Sequence, residues 1–254
     1  MVRRGGKEVL ITMHSFYIDS PVGGSAMLPP EEARHALKVL RLGPGDAVCA
    51  MDGAGRRWRG EIGDIDGGSV RVNLLEALPD NEAPVRLTVY EGLPKADKLD
   101  FIAQKLTELG AAALAPVRMA RCVVKLDGRD GEKRRERLER IAREAAKQCG
   151  RGMPLQVNAP MDWRMALRTM AAHDLLLIPW EEAGGTRLKD VFRDIPDAAD
   201  IGVVIGPEGG MSPQEVQALT YAGALTVTLG PRILRTETAS VVSAALAMQL
   251  WGDL

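Results

Sequence analysis

Apolar positions along this chain follow two different rhythms, and the change falls within a short polar stretch, LPDNEAP at 78–84. Before it, Ala33, Ala36, Leu37 and Leu40 recur at helical spacing and predict one helix over 30–40. Short runs at 15–19, 47–51, 57–62 and 69–75, the later ones separated by DGAG and DGG, read as strands joined by tight turns. Such a set of short strands suits a small β-barrel. After the polar stretch, elements alternate. A strand is predicted over 85–90, then a helix over 96–109 whose Leu99, Ile102, Ala103, Leu106 and Leu109 form one stripe, with Gly110 closing it. A strand at 113–117, a charged helix at 132–148 and a helix at 161–172 follow. The uninterrupted apolar runs at 174–179, 201–205 and 225–229 predict buried parallel strands, because a strand covered on both faces has no polar side to show. The expected class is therefore α/β with a parallel sheet, preceded by a small β domain. The boundary predicts domains at 13–82 and 83–254, with 1–12 as an appendage and Met13 as the candidate start.

Composition narrows the partners. With 46% apolar residues in 254, the chain has ample material for a core. Its formal net charge of −1 leaves room only for a local basic patch, and 4% aromatic content argues against RNA held mainly on stacking platforms. Cys49, Cys122 and Cys149 form no CxxC pair, and three scattered histidines complete no ligand set, so neither a disulfide framework nor a metal site is expected. No apolar run reaches the length of a membrane span, and the N-terminus lacks a secretory core, so a cytoplasmic address without membrane contact is expected.

The sharpest local feature is IGVVIGPEGGMSPQEVQAL, 201–219, where an apolar strand runs into Gly206, Pro207, Glu208, Gly209 and Gly210 and then into a helix. Ser212, Pro213 and Glu215 supply the N-cap, the first helical residue and the far half of a capping box. A glycine turn at the C-terminal edge of a parallel sheet either meets a ligand with open backbone or simply turns tightly. One βα unit later, LGPRILRTETASVV repeats the arrangement, with Gly230 and Pro231 in the turn, Thr236 as the expected cap of a last helix, and Glu237 in its first turn. Arg232 and Arg235 beside that turn serve either an anion or a surface ion pair. The segment 118–151 holds twelve Lys or Arg against six Asp or Glu; it reads as a solvated helix face or as an RNA-phosphate footprint.

HALKVLRLGPGD, KADKLDFIAQKLTELG, ARCVVKL, EAAKQCGR, IGPEGGMSPQE and LGPRILRTETA, in that order, resemble the sequence blocks of the RsmE family of the SPOUT superfamily, enzymes that methylate N3 of a uridine in 16S ribosomal RNA. The resemblance covers 13–254. It implies an N-terminal PUA-like barrel that binds RNA, a C-terminal SPOUT domain with a deep trefoil knot, and a homodimer acting on 16S ribosomal RNA or the small subunit. S-adenosylmethionine is then expected against Ile178 and Pro179, against Gly206, Pro207, Glu208, Gly209 and Gly210, and against Leu229, Gly230, Arg232, Ile233 and Leu234. RNA contacts are expected from Arg41, Arg121, Lys125, Arg134, Arg135 and Arg151. For catalysis, Arg235 is expected to neutralise the uracil anion, with Glu208 or Glu237 accepting the proton or orienting the arginine. One departure is HSFYID, where Ser15 stands at a position the family commonly gives to arginine. Two readings compete: a SPOUT enzyme acting on a ribose 2′-hydroxyl or on transfer RNA, and a non-catalytic dimeric RNA-binding protein.

Overall fold

The computed structural model describes residues 13–124, 128–181 and 184–254; the expected appendage at 1–12 and the expected RNA contact Lys125 lie outside the described residues. The chain divides into two compact units. One runs up to Glu82 and includes Ala146–Met153; the other comprises Ala83–Ala145 and Pro154–Leu254.

In the first unit, β1 (His14–Tyr17), β2 (Ser25–Met27), β3 (Ala47–Met51), β4 (Arg57–Asp66) and β5 (Ser69–Ala77) form a sheet in the order β1-β3-β4-β5-β2. β1 runs parallel to β3 and the other pairings are antiparallel. Alternate residues Val48 and Ala50, Val70 and Val72, with Phe16 and Ile62, fill its core. The helix expected over 30–40 is regular only in α1 (Pro30–Arg34) and then widens into a π-helical turn, His35–Val39. The Leu40 N–H reaches back five residues to the His35 carbonyl, and the turn ends at Arg41, an exposed residue at φ 57. Residues 146–153 belong to this unit through polar ties. Buried Arg57 donates to the Gly150 and Pro79 carbonyls, Arg151 pairs with Glu82, and Lys147 pairs with Glu32.

The second unit is built on a parallel sheet in the order β12-β10-β11-β6-β7-β8, with β9 also on β7. Its strands are β6 (Arg86–Gly92), β7 (Ala113–Arg118), β8 (Gln156–Val157), β9 (Met161–Asp162), β10 (Leu175–Pro179), β11 (Asp200–Ile205) and β12 (Leu225–Val227). Both faces of the central strands are covered, as the apolar runs at 174–179 and 201–205 predict. The buried strand expected over 225–229 is instead the short edge strand β12, whose edge position leaves Leu225 exposed. Leu87, Val89, Leu175, Leu177, Ile201 and Val203 point to one core, while Tyr90, Leu176, Ile178 and Val204 point to the other. On the first face lie α2 (Lys98–Glu108), the charged helix α3 (Gly128–Cys149), α5 (Leu188–Asp194) and α7 (Thr236–Trp251). On the second lie α4 (Trp163–Met170) and α6 (Pro213–Tyr221). Burying side chains such as Leu99, Leu106 and Leu177 stabilises the sandwich by about 2 kcal/mol each. Two expected helix starts shift for local reasons. Ala96 takes φ 55, so α2 begins at Lys98 and not at 96. Met161 and Asp162 pair with β7, and the Asp162 carboxylate accepts the Met165 N–H, so α4 starts at Trp163.

Candidate active site

β10, β11 and β12 run side by side in one direction, so the turns that leave their C-terminal ends open onto one cavity of about 710 Å³. β10 delivers Pro179, Trp180 and Glu181; β11 delivers Ile205 and the 206–210 turn; β12 delivers Thr228 and the whole of 229–235. Of the twelve residues expected at the cofactor, eleven line this cavity. Ile178 does not: its side chain is fully buried in the core between the sheet, α4 and α6, because strand alternation turns it away from Pro179.

The 206–210 turn is pinned from several directions. Ser212 accepts the Glu215 N–H while Glu215 returns to the Ser212 N–H, the capping box expected from sequence. Glu215 is almost fully buried, and its other oxygen accepts the Ala120 N–H at 2.7 Å. A residue read as a local cap therefore also ties the segment after β7 to the turn. Arg121 donates to the Gly209 carbonyl at 2.9 Å. A side chain added at Gly209 would meet Arg121 Cβ at 3.1 Å, so it would press on the residue that forms this latch. Gly92, at the end of β6, lies so close to Pro207 that an added Cβ would sit 2.5 Å from its ring.

Lys98, at the start of α2, collects the acidic residues of both turns. Its ammonium lies 3.0 Å from Glu208 and 3.1 Å from Glu237, and the Lys95 N–H also donates to Glu208. Partial burial works against the charge on Glu208, yet the Lys95 N–H and the Lys98 ammonium hold its carboxyl below the ordinary range. Glu237 is held low in the same way by helix N–H donation and Lys98, and the Lys98 ammonium is pushed up by both partners. Glu208 lines the cavity directly; Glu237 reaches it only through Lys98. Arg235 lines the cavity and is exposed, as is Arg232.

The expected cap of the last helix is corrected. Arg235 takes the N-cap backbone conformation with no side-chain cap, and Thr236 is the first helical residue. Thr236 Oγ1 lies 2.8 Å from the Gly206 carbonyl and 2.6 Å from Glu91, a fully buried carboxyl at the end of β6. Sequence reasoning passed over Glu91, although one acid within the apolar run of β6 was a usable signal. It passed over Lys98 because a lysine in the first turn of an amphipathic helix reads as solvated.

The residues expected at RNA separate. Arg41 is exposed, and Arg121 is exposed beside the cavity. Arg134 is engaged with the Ala96 carbonyl and Asp100, and Arg135 with Glu132 and Glu139. Arg151 is buried and held by Glu82, so it presents no charge outward. Among the described residues no cluster of His, Cys, Asp and Glu could hold a metal ion, and no helix is long and apolar enough to cross a membrane.

The cavity suits a nucleoside-sized ligand. It combines apolar walls from Pro179, Ile205, Leu229 and Leu234 with the open backbone of two glycine turns, the mixture that orients a flat ring and a ribose. The comparisons agree in kind. The model of the RNA methyltransferase domain matches residues 81–248, and that of the RNA methyltransferase PUA domain matches 28–75. The ribosomal RNA small subunit methyltransferase E of Bacillus subtilis is 36% identical over 214 residues, 82% of this chain and 84% of that protein. The protein of the same name from Mycobacterium bovis is 35% identical over 90% of this chain and 88% of its own length. A ribosomal RNA small subunit methyltransferase E from Neisseria gonorrhoeae, solved bound to S-adenosylmethionine, superposes with a TM-score of 0.85 at 33% identity, covering 95% of this chain and 99% of that one. The chain belongs to the RNA methyltransferase family of the ribosomal RNA small subunit methyltransferase E enzymes.

Proposed function

We propose that this protein transfers a methyl group from S-adenosylmethionine to N3 of a uridine in 16S ribosomal RNA, acting on the RNA or the small subunit in the cytoplasm. The observation that carries the reading is a nucleoside-sized cavity at the ends of three parallel strands, with an exposed arginine and a lysine-bridged carboxylate pair on one side. The relatives' names and the cofactor bound by the Neisseria protein support it. S-adenosylmethionine, when bound, supplies a methyl group already activated on a sulfonium.

The chain's own residues have two tasks: holding the uracil in line with that methyl and relieving the charge that appears as N3 releases its proton to water. Arg235 is proposed to donate to the uracil oxygens as that charge develops. Glu208 and Glu237 fit orientation better than proton removal, because carboxyls held below their ordinary range by Lys98 are weak bases. The proposed cofactor contacts are Pro179 with the 206–210 and 229–234 turns. Arg41 and Arg121, both exposed, are the proposed phosphate contacts. The remaining expectations are proposed with them: domains at 13–82 and 83–254, a closed PUA-like barrel in the first, a knotted SPOUT topology in the second, and a homodimer. The test is incubation of small subunits and of naked 16S RNA lacking the modification with labelled cofactor, followed by mapping of the label. Label on a uridine base at N3 is expected; label on a ribose, or none, overturns the reading.

A further inference from the structure

Glu91 is a carboxyl with no exposure at all, placed behind the cavity and not in it. Its two oxygens each meet one hydroxyl of α7: Thr236 Oγ1 at 2.6 Å and Ser240 Oγ at 2.5 Å. Each hydroxyl also meets a carbonyl. Thr236 Oγ1 lies 2.8 Å from the Gly206 oxygen, and Ser240 Oγ lies 2.9 Å from the Thr236 oxygen. Counting protons decides the state of the cluster. Carbonyls and carboxylates only accept, and each hydroxyl has one proton, so each hydroxyl can donate to only one of its two partners. An ionised Glu91 brings no proton, and two of the four contacts are then repulsive pairs of oxygens. A neutral Glu91 brings one, so three of the four can be hydrogen bonds.

We propose that Glu91 is a neutral carboxylic acid that braces the 206–210 turn through Thr236, making it a positioning residue for the cofactor pocket, and that loss of its proton slackens that pocket. The electrostatics agree. Burial pushes the Glu91 carboxyl up to about 8 against the opposing pull of the Ser240 and Thr236 hydroxyls, and the negative charges of Glu208 and Glu237 push in the same direction as burial. The charges that act on Glu91 include Glu208 from the turn after β11 and Glu237 from α7, and Lys98 from α2 bridges those two. The residues paired with Glu91 in β7 and β11, Pro116 and Ile205, bring no charge. The brace connects to binding because the carbonyl it holds belongs to Gly206, the first residue of the turn that lines the cavity.

The inference rests on the reading of this cavity as the cofactor site, and its test keeps the two apart. The probe is S-adenosylhomocysteine, which lacks the alkali-labile sulfonium, titrated calorimetrically into the full chain. If only the protonated protein binds fully, about one tenth of the molecules remain competent one pH unit above the midpoint, so the dissociation constant rises about tenfold between pH 7 and pH 9. Glu91→Gln keeps a neutral donor and acceptor in place with no proton to lose, and its affinity is expected to be flat over that range. An equal rise in Glu91→Gln, or no rise in the wild type, overturns the proposal. Difference infrared spectroscopy of the wild type reads the proton directly and does not depend on a variant that folds. A protonated-carboxyl band at neutral pH that disappears on alkaline titration is expected; its absence overturns the proposal. Failure of the probe to bind at neutral pH, with that band present, refutes the assignment of the cavity and leaves the neutral Glu91 standing.

Discussion

The turn after β11 and the turn after β12 line the same cavity and contain similar residues, yet they are held in opposite ways. The first is tied by the capping box of Ser212 and Glu215, by Arg121 on the Gly209 carbonyl, by Lys95 and Lys98 on Glu208, and by Thr236 on the Gly206 carbonyl. The second is tied to the rest of the unit at its start, where the Thr228 N–H donates to the Thr186 carbonyl; beyond that Gly230 and Thr228 bond to each other, and Ile233 stands 86% exposed. Rigid elements preorganise a site, whereas loosely tied segments adjust to ligands and can close over them. The braced turn is thus suited to be the fixed wall, and the open turn, with Arg235 at its end, the part that completes the site around the substrate.

The largest effect is expected from the open turn. Arg235→Ala should lower turnover by about a hundredfold or more, the loss typical of one electrostatic donor, with little change in cofactor or RNA dissociation constants. Arg235→Lys should recover part of it, since the charge remains but the planar fork is lost. Single-turnover methylation with binding measured in parallel checks this. A variant that binds RNA poorly but reacts normally once bound would show that the turn recruits substrate and does no chemistry.

A smaller effect is expected from the bridge between the two turns. Lys98→Met leaves Glu208 and Glu237 without the ammonium they share, and a slackened geometry should lower turnover by about tenfold. The sign of its pH dependence follows. In the wild type Lys98 holds both carboxyls low; without it both rise, so lowering the pH neutralises one of them and relieves the repulsion. The defect should therefore shrink toward acid pH. A defect that grows toward acid would mean that a carboxylate is needed as base.

How much of this was legible depends on how far each interaction reaches along the chain. The start of α6 was readable residue by residue, since Ser212 and Glu215 satisfy each other within four positions and Pro213 needs no partner at the first helical position. The parallel strands were readable because Leu175–Pro179 and Asp200–Ile205 are apolar on both faces. Thr236 misled for the complementary reason. A threonine followed by an acid resembles a cap, but its hydroxyl is engaged by Glu91, a residue distant in sequence. Glu215 reaching Ala120, Lys98 collecting two acids and the π-helical turn at His35–Val39 likewise depend on tertiary packing. The charge excess of 118–151 was visible, but its partners were not. Arg137 pairs with Asp100 on another helix, so part of that excess is consumed inside the unit.

Within the braced turn, Ser212→Ala should cost about 1 kcal/mol of stability, the usual cost of losing a helix cap. Urea unfolding checks it. The loss should carry through to the cofactor, because the Glu215 N–H loses its acceptor and the helix start that anchors the far end of the 206–210 turn is held only by the Glu215 carboxylate on the N–H groups of residues 212 and 120. Unfolding unchanged within error would mean that the turn is held by its other ties and that the capping box is redundant.

The smallest stability effect, and the sharpest contrast, is expected at Ile233. A large apolar side chain that is 86% exposed contributes almost nothing to the folded state, so Ile233→Ser should change unfolding by less than about 0.5 kcal/mol. Yet this residue lines the cavity, and an open turn that folds over a bound nucleoside would bury it. Burying even part of that side chain stabilises the complex by about 1 kcal/mol, so the variant should bind S-adenosylhomocysteine about fivefold more weakly while remaining as stable as the wild type. The two measurements together separate the turns: Ser212→Ala weakens the fold first and the ligand in consequence, Ile233→Ser the ligand alone. If Ile233→Ser loses stability without loss of affinity, the second turn is packed as firmly as the first, and the distinction between fixed wall and closing segment fails.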